Sequence, residues 1–169
     1  MNLLQAAIVF AINLMDISNS GLPYDHQMVT GVTTAIAQIT SDPSEIETLI
    51  KISRWESGGY RKDVATCKVK GDNGQAYGLF QVHPRNSLEA QKLCSTYVEQ
   101  ATIALDRVRE SAKMCAQFGS KGADSLAGYT RGTCVKGNPA AQLRWGSGKT
   151  ILSIIEKENE RLATTSSQD

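Results

Sequence analysis

Gly71-Asp72-Asn73-Gly74-Gln75-Ala76-Tyr77-Gly78-Leu79-Phe80-Gln81-Val82 is the stretch on which the reading of this chain turns. Glycines at 74 and 78 permit tight turns and let the backbone come close to a ligand. Leu79, Phe80 and Val82 can anchor the segment in a core, which leaves Gln81 to donate and accept hydrogen bonds. Asp72 stands in a polar, glycine-containing loop that should keep it ionised. Taken alone, an aspartate before Asn73-Gly74 reads as a turn residue.

Upstream, Ile52-Ser53-Arg54-Trp55-Glu56-Ser57-Gly58-Gly59 reads as the end of a helix, stopped by its glycine pair. At the helical period Glu56 falls between Leu49 and Ile52, on the face that also carries Ile46 and Ile50. A carboxylate there loses solvation and meets the negative end of the helix dipole. Both effects favour the neutral form and are expected to raise its pKa. Taken alone, Glu56 reads as a helix-terminal residue that turns out into water. With Asp72 the picture changes: one carboxyl pushed towards neutral and another left charged is the division of labour in glycoside hydrolysis.

The rest of the chain predicts helix after helix. Gln27 to Ile39 has a helical apolar pattern after a turn at Gly21-Leu22-Pro23. Ser41-Asp42-Pro43 then starts another helix, with Glu45 and Glu47 near its beginning. A long helix is expected from Ser95 to Phe118, with Ile103, Leu105, Val108 and Met114 at apolar positions. A short one follows at Ala123 to Gly128, and a last one begins near Gly148. No sustained strand alternation is present, so the fold class is mainly α, with a small irregular or β lobe in the middle. The 169 residues suffice for one compact core, and a net charge of +1 gives no electrostatic case for nucleic acid or an anionic membrane. Lys62, Lys68 and Lys70 form a small basic cluster that reads as a solvated loop.

Cys67, Cys94, Cys115 and Cys134 have neither zinc nor redox-motif spacing. An even count of this kind points to two disulfides and an oxidising compartment, with four buried reduced thiols as the alternative. Four cysteines allow three pairings. Cys67–Cys94 with Cys115–Cys134, each stapling a loop to a helix, is favoured, although spacing does not decide it. Leu3 to Ile17 is almost continuously apolar but lacks a basic start and a small-residue cleavage site, and is short for a membrane span. It reads as a core helix, with an atypical export signal as the alternative.

Four motifs in order, Glu56-Ser57, Gly71-Asp72 with Gly74, Gly78-Leu79-Phe80-Gln81-Val82 and Gly128-Tyr129-Thr130-Arg131-Gly132, make the chain resemble goose-type lysozymes and the related lytic transglycosylases. The likeness spans residues from about 45 to 135. It implies a lysozyme-like α+β domain over 41–163; outside it, 1–40 reads as an N-terminal helical extension packed on the domain and the polar 164–169 as a frayed tail. It implies further that Glu56 is the general acid at the β-1,4 bond between N-acetylmuramic acid and N-acetylglucosamine in peptidoglycan. Asp72 matches the aspartate that positions or activates water, and Ser57, Gln81 and Tyr129 match positions lining the sugar cleft.

Two departures stand out. His83 occupies the place where goose-type enzymes commonly carry a further aspartate, and Thr130 replaces the asparagine of the fourth motif. Two outcomes therefore remain open. A hydrolase would use Asp72 to activate water, whereas a transglycosylase would close a 1,6-anhydro ring using Glu56 alone. Neither route implies a metal or organic cofactor. His83 and Tyr77 are further candidates for substrate contact, His83 reading equally as a turn cap and Tyr77, like Trp55 and Trp145, as core packing. Gly146-Ser147-Gly148-Lys149-Thr150 mimics a phosphate-binding loop, but Leu143 stands where that motif needs glycine. Outside catalysis, the chain reads as a non-catalytic wall-binding module or as a structural component of a phage or secretion apparatus. The expected setting is extracytoplasmic, as a monomer or within such an assembly, without stable membrane insertion.

Overall fold

The structure, a computed structural model, describes residues 1–18, 24–120, 122–134 and 150–165. It is mainly helical. The helices are α1 (Leu3–Ser18), α2 (His26–Ile39), α3 (Pro43–Glu56), α4 (Lys62–Ala65), α5 (Ser87–Lys92), α6 (Tyr97–Ala116), α7 (Ala127–Arg131) and α8 (Ile151–Thr165), with single 3-10 turns at Asp72–Gly74 and Gly122–Leu126. The expected turn at Gly21–Pro23, the glycine-rich 146–149, Trp145 and residues 166–169 of the tail lie outside the described residues. The final helix begins at Ile151, three residues after the expected start.

Local chemistry explains where the helices begin. Asp25 accepts from the Met28 N–H at 3.0 Å, Asp42 from Ser44 N–H at 2.8 Å, Asn86 from Glu89 N–H at 2.9 Å and Thr96 from Glu99 N–H at 3.3 Å. Each such cap contributes about 1 kcal/mol. Pro43 takes the first helical position of α3, where a missing N–H costs nothing. The short α5, which the sequence reading did not anticipate, exists on the strength of its Asn86 cap and its anchor Leu93, fully buried just past its end.

The helices share one core. Ala6, Ala7, Phe10, Ala11 and Met15 of α1 pack with Met28, Val29, Val32 and Ile36 of α2, and with Ile46, Leu49, Ile50 and Ile52 of α3. Each fully buried large aliphatic or aromatic side chain stabilises the fold by roughly 1.5–3 kcal/mol. Because Phe10, Val29, Leu49 and Phe80 belong to a single cluster, the described part of residues 1–40 packs on the helical body and shares its core. Close by, α8 docks through buried Ile151, whose N–H donates to Glu47 at 3.3 Å. No described helix is long and apolar enough to cross a membrane.

The middle lobe is irregular rather than β. Among the described residues it holds only two isolated antiparallel bridges, Gly71 with Ala76 and Tyr77 with Val82. Leu79, Phe80 and Val82 anchor it in the core as the sequence suggested. Two disulfides, Cys67–Cys94 and Cys115–Cys134, tie it and the segment after α7 to the helices. Closing loops of 27 and 19 residues contributes about 3 kcal/mol each in the chain-entropy account.

A buried amide completes the attachment. Gln100 of α6 is fully buried; its carbonyl accepts from the Leu79 N–H at 2.9 Å, while its amide donates to Ala65 C=O at 3.0 Å and Ser95 C=O at 3.3 Å. Gly78 passes so close that a Cβ there would lie 2.4 Å from Leu93 O and 2.6 Å from Gln100 Oε1, and its φ is +68°. Gln100→Leu, nearly isosteric, would strand the Leu79 donor and the Ala65 acceptor. Urea denaturation should show a loss of about 3 kcal/mol.

Candidate active site

Glu56 is the last residue of α3, and Ser57 caps that helix before Gly58 and Gly59 turn the chain at φ +64° and +91°. The carboxylate is half-buried and lines a cavity of about 270 Å³ together with Gly71, Asp72, Ala76, Gln81, His83 and Tyr129. Of the seven candidate residues from the sequence, five therefore line one cavity: Glu56, Asp72, Gln81, His83 and Tyr129.

The lobe's backbone is shaped to make this wall. Asp72, Asn73 and Gly74 run in the left-handed region at φ +45°, +55° and +91°, and Gln81 joins them at +47°. Left-handed geometry costs an ordinary residue about 1–2 kcal/mol, less for Asp and Asn. Such strain persists where surrounding structure enforces it, and it collects at functional sites. Here the enforcing structure is the pair of bridges and the buried Leu79-Phe80 anchor. Gln81 donates from its amide to Gly78 C=O at 2.8 Å, so its side chain is held rather than loose. Gly71 leaves the space that side chain fills, since a Cβ there would lie 2.1 Å from Gln81 Oε1.

Tyr129 is fixed from two sides. Its hydroxyl donates to Phe80 C=O at 2.6 Å, and its backbone N–H donates to the Ser111 hydroxyl at 2.9 Å. Ser111 in turn donates to Ser125 C=O at 2.6 Å. Burial pushes the Tyr129 phenol well above the ordinary tyrosine range; the negative charge of Glu56 pushes the same way, and Arg107 works against both.

Asp72 meets His83 at 2.8 Å, Oδ2 to Nε2, with 73% and 54% of the two side chains exposed. A pair so open to water adds little stability. Beyond it the cavity continues into a second of about 240 Å³, which shares Gln81, His83 and Tyr129 and adds Arg107, Glu110, Ser111 and Met114. Met114, read from the sequence as apolar helix packing, is 37% exposed and serves as part of this wall. Gly128 lets α7 close on it, because a Cβ there would lie 2.4 Å from the Met114 methyl. A larger hollow of about 550 Å³ lies between α3, α6 and α8, but its charges are already matched as Glu47–Lys51 and Glu45–Arg109.

Two candidates fall elsewhere. Ser57 is 1% exposed, and its hydroxyl accepts from the Tyr60 N–H at 2.7 Å, so it stabilises the turn after α3 instead of facing a sugar. Tyr77 does not line the Glu56 cavity; the Lys70 ammonium sits 4.2 Å from its ring centre, a cation–π contact. Trp55, by contrast with a packing role, is 40% exposed. The side chain of Thr130, the other departure in the fourth motif, lies outside the described residues. The sequence reading missed Ala76, Arg107 and Glu110, which carry no local signal. Arg107 is recognisable only once folding pairs it with Glu89 at 2.7 Å and turns it towards the cavity.

No protein-family model, curated protein or solved structure matches this chain. The likeness to lysozyme-type enzymes thus rests on the ordered motifs, and the site must be judged on its own chemistry.

Gly71→Ala should disturb shape more than stability. Gly71 has an ordinary φ of −84°, and the atom in the way is the end of a flexible side chain. Its unfolding free energy is expected to stay within about 1 kcal/mol of wild type. Titration with chitohexaose should nonetheless show weakened binding as Gln81 is displaced.

The tyrosines set an alkaline limit. Burial pushes Tyr60 up to about 12, and Tyr129 lies well above its usual value. Both then keep their protons in the fold after the unfolded chain, titrating near 10, has lost them. This contribution is intact below about pH 10 and is lost as pH rises from there, by up to about 1.4 kcal/mol per unit for each tyrosine. Denaturant midpoints measured from pH 9 to 11.5 should show that slope, reduced in Tyr60→Phe.

Proposed function

We propose that the protein is a peptidoglycan-cutting glycosidase that cleaves the β-1,4 bond between N-acetylmuramic acid and N-acetylglucosamine. The observation that carries this reading is one cavity in which a half-buried helix-terminal carboxylate, Glu56, shares the wall with an exposed carboxylate, Asp72, and with the fixed polar groups of Gln81 and Tyr129. Glu56 protonates the glycosidic oxygen, and its place at the carbonyl end of α3 favours the proton it must hold. The Asp72 side of the cavity handles the water that attacks the anomeric carbon. Gln81, held by Gly78, and Tyr129, held by Phe80, orient the sugar. Extension of the cavity past Gln81 and His83 supports a polymeric substrate rather than a single sugar.

Hydrolysis is favoured over ring closure by the muramic acid's own 6-hydroxyl because a second acid–base group stands ready beside Glu56. The two disulfides support action in an oxidising, extracytoplasmic setting, reached by export or within a phage or secretion assembly.

Glu56→Gln keeps the shape of the site but removes the transferable proton. It should fold normally, bind chitohexaose, and lose at least about 10²-fold in the rate of muropeptide release from purified walls. Wild-type release by this variant would remove Glu56 from the mechanism. Mass spectrometry of the wild-type products should show reducing muramic acid, and products lighter by one water would replace hydrolysis with anhydro-ring formation.

A further inference from the structure

We infer that His83, oriented by Asp72, is the base that activates water in this site, so that Asp72 acts through the imidazole rather than on water directly. The inference rests on the glycosidase reading and assigns its second half. Both groups line the Glu56 cavity, and His83 Nε2 lies 2.8 Å from Asp72 Oδ2. A carboxylate bonded to Nε2 holds the ring in the tautomer whose Nε2 carries the proton, which leaves Nδ1 as the basic nitrogen.

The placement of the pair is built into the lobe. Asp72 follows Gly71, which bridges to Ala76, and His83 follows Val82, which bridges to Tyr77. Val82 is 4% exposed, so its burial fixes the point from which His83 leaves the core, and Pro84 restricts His83 to an extended backbone. Left-handed geometry at Asp72 and Gln81 turns the chain between these points. An exposed ion pair gives too little stability to account for this arrangement. A base that must meet water, and then exchange its proton with solvent, needs that exposure.

In the step itself the Glu56 proton passes to the glycosidic oxygen as the bond from that oxygen to the anomeric carbon breaks. Water forms the new bond to carbon and gives its proton to His83 Nδ1. The products are two free hydroxyl ends. Glu56 is left ionised and His83 protonated, and both reset by exchange with solvent, with no redox change. The charged or titratable groups around His83 are Asp72 of the lobe, Glu56 of α3, Tyr129 of α7, and Arg107 and Glu110 of α6.

The test compares full-length wild type, Glu56→Gln, His83→Ala and Asp72→Asn on purified peptidoglycan, with chitohexaose binding and melting temperature as controls. His83→Ala should lower kcat at least 100-fold with chitohexaose affinity within threefold of wild type, and added imidazole should restore activity at least tenfold. The acidic limb of the wild-type pH–rate profile should vanish in His83→Ala. Asp72→Asn should lose activity that imidazole does not restore, because its own ring is present but wrongly held. Wild-type kcat in His83→Ala, a loss that imidazole does not reverse, or anhydro products from the wild type would overturn the assignment while leaving Glu56 as the acid. Absence of any product from the wild type, matching Glu56→Gln, would instead overturn the glycosidase reading on which the assignment rests.

Discussion

Gln100 joins two parts of the molecule that share little regular structure. From the first turn of α6 its fully buried side chain accepts from Leu79 N–H and donates to Ala65 C=O, so that one amide pairs backbone groups on two sides of the lobe. In an irregular segment the backbone polar groups have no ladder to pair in, and a buried one left alone costs as much as a lost hydrogen bond or more. The apolar anchor of Leu79, Phe80 and Val82 can enter the core only if these groups are paired on arrival. Gly78 is the corollary: it brings the chain close enough to α6 for the amide to reach. Everything the cavity wall presents, from Asp72 to His83, hangs from this attachment and from the Cys67–Cys94 link beside it.

The site divides its groups by solvation. Glu56 is half-buried at the carbonyl end of α3, and it shares a cavity with Tyr129, whose phenol is pushed up by burial and by the charge of that carboxylate. Asp72 and His83 are exposed and pair with each other. A half-buried carboxyl and an exposed carboxylate–imidazole pair thus share one small volume, and the proposed acid–base chemistry depends on that difference in environment. Shape is supplied by residues with no acid–base role: Gly71 admits the Gln81 side chain, and Gly128 and Ser111 seat α7 and Tyr129 against α6.

Much of this was legible in the chain. Asp42-Pro43 announces α3, and the alternation of buried residues at 28, 29, 32 and 36 announces α2, because caps and helical period depend on neighbours a few residues away. Glu56 could be placed at a helix end for the same reason. Ser57 and Tyr77 show the limit of the method. Ser57 follows the acid in sequence, yet the turn after α3 sends its hydroxyl back to Tyr60 N–H. Tyr77 sits within the motif-bearing stretch, but the bridge to Val82 puts it on the side where Lys70 covers its ring.

The sequence by itself marked the longer helices, the order of the motifs and the two carboxylates Glu56 and Asp72 within them, since each is written in short-range pattern. Only the tertiary structure decided that His83 and Asp72 form a pair, that Cys67 joins Cys94 and Cys115 joins Cys134, and that Arg107, Glu110 and Met114 extend the wall. The physical reason is that in an irregular lobe there is no period to say which way a side chain points. Its direction is set residue by residue by left-handed backbone at Asp72, Asn73 and Gln81, held by the bridges beside them and by an anchor whose Leu79 N–H bonds to Gln100, 21 residues away along the chain.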